Sequence, residues 1–267
     1  MPELEDVSYS EAECVAAIAD YYEFLTKMYL DESEVIYPPK GGWPSITQAH
    51  PEVLARFGKT DTVISLLAHL PYIRNKGGAE DGIHAIADCP FADWDDFFSG
   101  LPPDSDLDSC KMVTESYAFT EVAPPHVVGL AAGHRDASII IVDTELGIIH
   151  WDQYPYRNQE THIREPIIDD PYDWAPEEEA EWRAECEAWA ITDFFEVLKG
   201  LYVDLHFIPV SNREVLMDVE GWGHPPGLIP MLQKIYFEHR WPDLAAYRKE
   251  DCLRAVHEAI EANYPDL

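Results

Sequence analysis

The most constraining stretch of the chain is the run IIIVDTELGIIHW, from Ile139 to Trp151. It consists of two blocks of mainly β-branched residues, separated by a short segment with a glycine at position 147. Such residues favour strands, and a glycine in a short connection supplies the positive φ that a tight turn needs. Both faces of the first block are apolar, which is typical of a central strand covered on both sides. The run therefore predicts a buried β-hairpin over residues 137–152.

The two polar residues in this run, Asp143 and His150, allow two interpretations. They form either a reactive acid–base pair or the polar ends of a structural hairpin. Asp143 stands where the first strand should end, and an aspartate there readily accepts hydrogen bonds from the turn backbone. His150 is expected across the ladder from the preceding strand, satisfied by a neighbouring polar group. We favour the structural interpretation; a contact between the two side chains inside a solvent-connected pocket would reverse it.

Helical patterns lie on both sides of the hairpin. A capping box at Ser10–Glu13 precedes an apolar stripe and predicts an N-terminal helix. A second stripe, beginning near Pro176, predicts one long helix over residues 176–200. Shorter helices are expected over 51–57 and after Thr60, and two more over 228–241 and 249–263. The N-terminal stripe comprises Cys14, Ile18, Tyr21, Tyr22, Leu25 and Met28, and the second comprises Trp182, Cys186, Trp189, Ala190, Phe194, Val197 and Leu198.

These patterns together predict an α+β fold in a single domain spanning residues 1–267. A small antiparallel-rich sheet would contain the hairpin and pack against the N-terminal helix and the helix over 176–200. Residues 10–205 would form the core, and residues 206–267 a helical C-terminal extension. Between residues 75 and 125 the pattern is irregular and predicts loops and short elements.

The charge of the chain limits its partners. It has 51 acidic and 18 basic residues, a formal net charge of −33 at pH 7. Such a field repels nucleic-acid phosphates and anionic lipids, so we expect neither nucleic acid nor membrane as a partner and favour a basic protein. The sequence shows no signal-peptide pattern and no long apolar run, and its five cysteines are scattered without a C-x-x-C. We therefore expect reduced thiols and a cytoplasmic or nuclear, non-secreted protein.

The sequence does not match the known metal-binding and catalytic motifs. Residues 104–115 place four carboxylates at calcium-loop spacing, but Ser109 stands where that loop needs glycine. Zinc, phosphate-loop and nucleophile signatures do not occur. We therefore predict no catalytic residue, no metal and no cofactor. One alternative stays open, because carboxylates and the eight tryptophans are plentiful: a cofactor-independent enzyme, a carboxylate-dependent hydrolase or isomerase with an acidic, Trp-lined pocket.

Five features follow one another over residues 10–205: the amphipathic N-terminal helix, the Pro/Gly–Trp loop, the strands VVGLAAG and IIIVDTELGIIHW, and the segment WAITDFFEVLKGL. This order resembles the SUKH superfamily, which includes fungal cell-wall-synthesis regulators and bacterial toxin-immunity proteins. It implies a non-enzymatic regulatory, scaffold or immunity protein that works by protein–protein contact. The positions matching the family pattern are Gly133, Asp143, Gly147, Phe194 or Phe195, and Leu198.

For the contact surface, the sequence offers one candidate, Trp94 with Asp95 and Asp96 in the cluster FADWDDFF. An aromatic side chain flanked by charges is a common interface anchor. We therefore predict that these three residues contact the partner, which requires Trp94 to be exposed.

Overall fold

The structure is a computed structural model that describes residues 2–74, 82–119, 121–133, 138–152, 154–156, 164–218 and 223–265. Within these residues the fold is α+β, as predicted. The helices are α1 Glu11–Met28, α2 Pro44–Thr47, α3 Pro51–Phe57, α4 Asp61–His69, α5 Trp94–Phe98, α6 Asp108–Phe119, α7 Glu177–Glu185, α8 Ile191–Val203, α9 Leu228–Glu238 and α10 Lys249–Asn263. The strands are β1 Val35–Ile36, β2 Tyr72–Ile73, β3 His84–Ile86, β4 Cys89–Pro90, β5 Val127–Gly129, β6 Ile140–Asp143, β7 Ile148–Trp151, β8 Glu187–Ala190, β9 Phe207–Pro209 and β10 Val215–Met217.

The helix caps predicted in the N-terminal third are confirmed. The Ser10 side chain accepts a hydrogen bond from the backbone of Glu13 at 3.4 Å and begins α1. All six apolar positions of the predicted stripe in α1 are buried. Gly58 ends α3 in the left-handed conformation, and the Thr60 hydroxyl caps α4 by accepting from Val63.

A four-stranded antiparallel sheet in the order β5-β6-β7-β8 is the largest sheet among the described residues. The predicted hairpin is its centre, with Ile141 opposite His150 and Asp143 opposite Ile148. Gly147 has a φ of 77° in the connection, as its position predicted. The hairpin's predicted first residue, 137, and the residues that follow Gly133 lie outside the described ranges.

The sheet is buried on both faces, which fits the apolar pattern of its central strands. The inner face, with Val142, Ile149 and Trp151, joins a core cluster that extends along the chain from Cys14 to Val256. The outer face carries a smaller cluster, formed by Phe119, Val127, Ile141 and Trp182. Helices α6 and α7 supply the first and last of these four side chains. We call α6 and α7 the outer layer.

Helix α6 lies very close to the backbone of the sheet. A Cβ at Gly129 in β5 would come 2.1 Å from the carbonyl oxygen of Thr114. Only a residue without a side chain fits at that distance. Ser116, further along α6, has a φ of 65° and interrupts the helix.

The prediction of one helix over residues 176–200 is wrong. The chain forms α7, then strand β8, and then α8, which continues to Val203. The apolar spacing imitates a helix, but Trp182 belongs to the outer cluster and Trp189 to the inner core. Strand β8 pairs with β7 over four residues, and that pairing outweighs the local helical preference.

The C-terminal extension is not purely helical, in contrast to the prediction. Strands β9 and β10 form a hairpin before α9 and α10. Side chains tie the two helices to the core: the Tyr236 hydroxyl donates to the carbonyl of Pro209 at 2.8 Å, and Lys249 donates to that of Thr26 at 2.9 Å. The periodicity predicted the helices correctly, whereas a three-residue strand is too short to give a pattern.

Three tyrosine hydroxyls donate to the backbone of strand β3, one from α1, one from the C-cap of α1 and one from α8. Tyr21 and Tyr202 both donate to the carbonyl of Ala85, the latter at 3.1 Å, and Tyr29 donates to the carbonyl of His84. All three rings are fully buried. The irregular part of the sequence is therefore held to α1 and α8 by side-chain hydrogen bonds to its backbone.

Gly147 combines a positive φ with close packing, because a Cβ there would lie 2.5 Å from the backbone of Ser8. We expect Gly147→Ala to lower the free energy of unfolding by more than the roughly 1–2 kcal/mol that the left-handed conformation alone costs. Gly100→Ala is the matched control, since Gly100 has a φ of 72° and no atom near its added Cβ. Urea unfolding of both variants measures the difference. Equal losses would show that the contact with Ser8 imposes no constraint.

Candidate functional site

The hairpin residues Asp143 and His150 meet a third side chain, Arg183 of α7. The Nη1 of Arg183 lies 2.9 Å from Oδ2 of Asp143 and 3.1 Å from Nε2 of His150. Its Nε and Nη2 donate to Oε2 of Glu179, one helical turn earlier. The other oxygen of Asp143 accepts the turn amides of Glu145 and Leu146, each at 2.9 Å, as its position predicted. We call Asp143, His150, Glu179 and Arg183 the polar cluster.

Burial controls the protonation states in this cluster. Desolvation, together with the charge of Arg183, lowers the pKa of His150 to about 3, so the imidazole is neutral. Burial alone would raise the pKa of Asp143, but the adjacent His126 and Arg183 outweigh it and lower that pKa to about 2. Because Arg183 donates to Nε2, the proton of His150 belongs on Nδ1, which has no partner among the described residues.

A second histidine extends the cluster toward the solvent. His126 lies 3.6 Å from Asp143 through Nε2 and 3.1 Å from Oε2 of Glu145 through Nδ1. These carboxylates, Asp143 above all, raise the pKa of the imidazole against the opposing effects of burial and Arg183.

The environment of the cluster favours a structural role over a catalytic one. Asp143 and Arg183 are 0% and 3% exposed, so a substrate does not reach them from solvent without displacing α7. The rings of Trp174 and Trp182 also lie over the guanidinium, at 5.2 and 4.6 Å. The sequence suggested neither this partner nor its burial, because Arg183 reads as one more charge on an acidic helix.

The calcium-loop spacing does not correspond to a site. Its twelfth residue, Glu115, is fully buried and lies 2.7 Å from Nζ of Lys59 in an ion pair. Asp108 instead pairs with Lys111 at 2.8 Å on the surface. Across the described ranges no group of three or more His, Cys, Asp and Glu side chains converges as metal ligands would.

The predicted contact residues are in different environments. Trp94 is 0% exposed, and its indole nitrogen donates to the carbonyl of Gly129 at 3.2 Å. The prediction that Trp94 is an exposed anchor is therefore wrong, because the ring fills the core beside Phe57 and Phe98. Asp95 is half-buried and Asp96 is exposed, so both carboxylates reach the surface.

Asp95 and Asp96 line an open cleft of about 450 Å³ at the N-terminus of α5. Two aromatic residues are in its lining: Tyr37 is exposed by 59%, and the indole of Trp43 donates to the carbonyl of Leu70 at 2.8 Å. The lining also contains carboxylates, and the Ser45 hydroxyl donates to Asp95 at 2.5 Å. We call this the acidic cleft; its lining includes Tyr37, Trp43, Arg74, Asp93, Asp95 and Asp96.

Loss of Arg183 should destabilise the fold more than loss of a surface cation. Arg183→Met leaves the Asp143 carboxylate buried without its cation, and we expect a loss of about 3–5 kcal/mol in the free energy of unfolding. Arg164→Met, which removes an exposed pair of 3.1 Å with Asp193, should cost less than about 1 kcal/mol. Adding Asp143→Asn to Arg183→Met should recover part of the loss. Urea unfolding of the wild type and of the three variants tests this; a double variant that is no more stable than Arg183→Met alone would contradict the coupling.

His126 should give the fold a pH-dependent contribution. Since the folded pKa is raised above the unfolded value, protonated His126 stabilises the fold below about pH 6.5, and this stabilisation disappears as the pH rises through the folded pKa. We therefore expect the difference in unfolding free energy between the wild type and His126→Gln to be larger at pH 5.5 than at pH 8.5. A difference that does not change with pH would contradict this assignment.

The described residues include no helix of the length and apolarity needed to cross a membrane. No family model, no curated protein and no solved structure matches the chain.

Proposed function

We propose that this chain is a non-enzymatic protein–protein interaction module, and that its acidic cleft binds a basic side chain of a partner protein. The observation that carries the proposal is the composition of the cleft, in which three carboxylates and one guanidinium lie beside two aromatic rings. A regulatory, scaffold or immunity role would agree with the resemblance to the SUKH superfamily.

The chemistry of the cleft suits a lysine or, better, an arginine side chain. A guanidinium can bond a carboxylate through two N–H groups and stack on an aromatic face at the same time. Tyr37 offers an exposed ring, and Trp43 is fixed by its hydrogen bond to Leu70. Asp95 is likewise held by Ser45, so little side-chain freedom is lost on binding. The overall charge of −33 would speed the approach of a basic partner.

The same cleft is the observation in favour of the alternative, a carboxylate-dependent hydrolase or isomerase, because it is acidic and lined by a tryptophan. A general acid needs a carboxyl that burial keeps protonated near neutral pH. Asp96 is exposed, and Asp95 serves as acceptor for a hydroxyl. Neither carboxyl is enclosed in the way that a general acid requires, so we rank binding above catalysis.

Affinity capture from cells that express the protein naturally tests the proposal. The full chain, a variant with Asp95→Asn and Asp96→Asn, and the control Glu258→Gln are compared by quantitative mass spectrometry. Glu258 is exposed on α10 and outside the lining of the cleft. Its replacement therefore also exchanges a carboxylate for an amide, but at a distance from the site. We expect a reproducible set of basic proteins that the control retains and the cleft variant loses by about tenfold or more.

Two results would count against the proposal. The first is that no reproducible protein depends on Asp95 and Asp96. The second is a hydrolytic or isomerase activity of the purified chain that the double Asn variant abolishes, which would support the enzyme alternative instead.

A further inference from the structure

A second surface combines exposed apolar side chains with uncompensated acids. It lies in the segment before α7, and we call it the aspartate–aromatic surface. Ile168, Tyr172 and Trp174 are exposed by 52%, 66% and 42%. They are three of the eight large apolar side chains that are exposed in the described part of the chain, and they occur within seven residues. Its residues are Ile168, Asp169, Asp170, Tyr172, Asp173 and Trp174.

The segment that carries these side chains is acidic. Residues 165–182 contain eight acidic residues and neither lysine nor arginine. The next cation, Arg183, is buried in the polar cluster and already faces Glu179 and Asp143. Among the described residues, no ion pair engages Asp169, Asp170 or Asp173. The surface therefore offers negative charge that the fold does not neutralise.

Trp174 is held in position before any partner arrives. Its indole nitrogen donates to both oxygens of Asp169, at 2.9 and 2.8 Å, and its ring lies 5.2 Å from the guanidinium of Arg183. Asp170 in turn fixes the backbone of Tyr172 at 3.1 Å. A rigid, partly exposed aromatic side chain loses little entropy on binding, which is the usual property of an interface hot spot.

We propose that the aspartate–aromatic surface binds a basic segment of a partner protein, in which cationic side chains alternate with apolar ones. The cationic groups would meet Asp170 and Asp173, and the apolar ones would pack on Tyr172 and Ile168. Nucleic acid and anionic membranes have the wrong charge for this surface. A second copy of the chain also carries a net charge of −33, so this surface would repel it. The surface is separate in its residues from the acidic cleft and extends the proposed function to a second site.

The test uses the full chain and two short dye-labelled peptides, one in which arginine alternates with leucine and one in which it alternates with glycine. Fluorescence anisotropy at physiological ionic strength gives their affinities. We expect the Arg–Leu peptide to bind more tightly, and Ile168→Ser with Tyr172→Ala to weaken it by about tenfold or more. Phe237→Ala is the matched control, because Phe237 is 57% exposed on α9, and it should leave binding unchanged.

Three results would overturn the proposal. Unchanged affinity in the Ile168→Ser, Tyr172→Ala variant would place the peptide elsewhere. Equal affinity for the Arg–Gly peptide would show that the leucines contribute nothing and that binding is general attraction by charge. A dimer in sedimentation experiments that the double variant abolishes would assign the surface to a second copy. The Asp95→Asn, Asp96→Asn variant should still bind the Arg–Leu peptide, so failure at the cleft and failure here are distinguishable.

Discussion

The ion pair between Asp143 and Arg183 is the contact that positions α7, one of the two helices of the outer layer, on the sheet. It places a full positive charge of α7 at the end of the central hairpin, out of contact with water. Buried charges of this kind add little net stability but are costly to separate. The pair therefore serves less to strengthen the fold than to define where α7 lies. Because Trp174 rests on the same guanidinium, the position of the aspartate–aromatic surface follows from it as well.

The two layers around the sheet differ in how they are held. The inner face belongs to a continuous apolar core that includes residues of α1 and α8 and of the C-terminal helices α9 and α10. The outer face has only a small apolar cluster, supplemented by the polar cluster and by the buried pair of Lys59 and Glu115. Hydrophobic burial is nearly independent of direction, whereas an ion pair has a defined geometry. The outer layer is thus specified by few, directional contacts.

How much the sequence could predict depends on the range of the contacts involved. The hairpin, the Ser10 and Thr60 caps and the stripe of α1 are local patterns, and they are confirmed. The break at β8 is set by pairing with a strand far along the chain, so the spacing from Trp182 to Leu198 was misleading. The burial of Trp94 similarly depends on distant neighbours such as Gly129. Among the residues that line the acidic cleft, Asp95 and Asp96 were predicted as contact residues, whereas Tyr37 and Trp43, which come from another loop, were not.

The tyrosine contacts to β3 have a consequence for assembly. A strand with free backbone carbonyls is a template onto which another chain can add, and natural proteins cover such edges. Here the carbonyls of His84 and Ala85 accept hydrogen bonds from the hydroxyls of Tyr21, Tyr29 and Tyr202. A carbonyl that already accepts from a tyrosine hydroxyl is less available to the backbone amide of an added strand. Side chains from α1, from its C-cap and from α8 thereby occupy two backbone acceptors of β3 that an added strand would need.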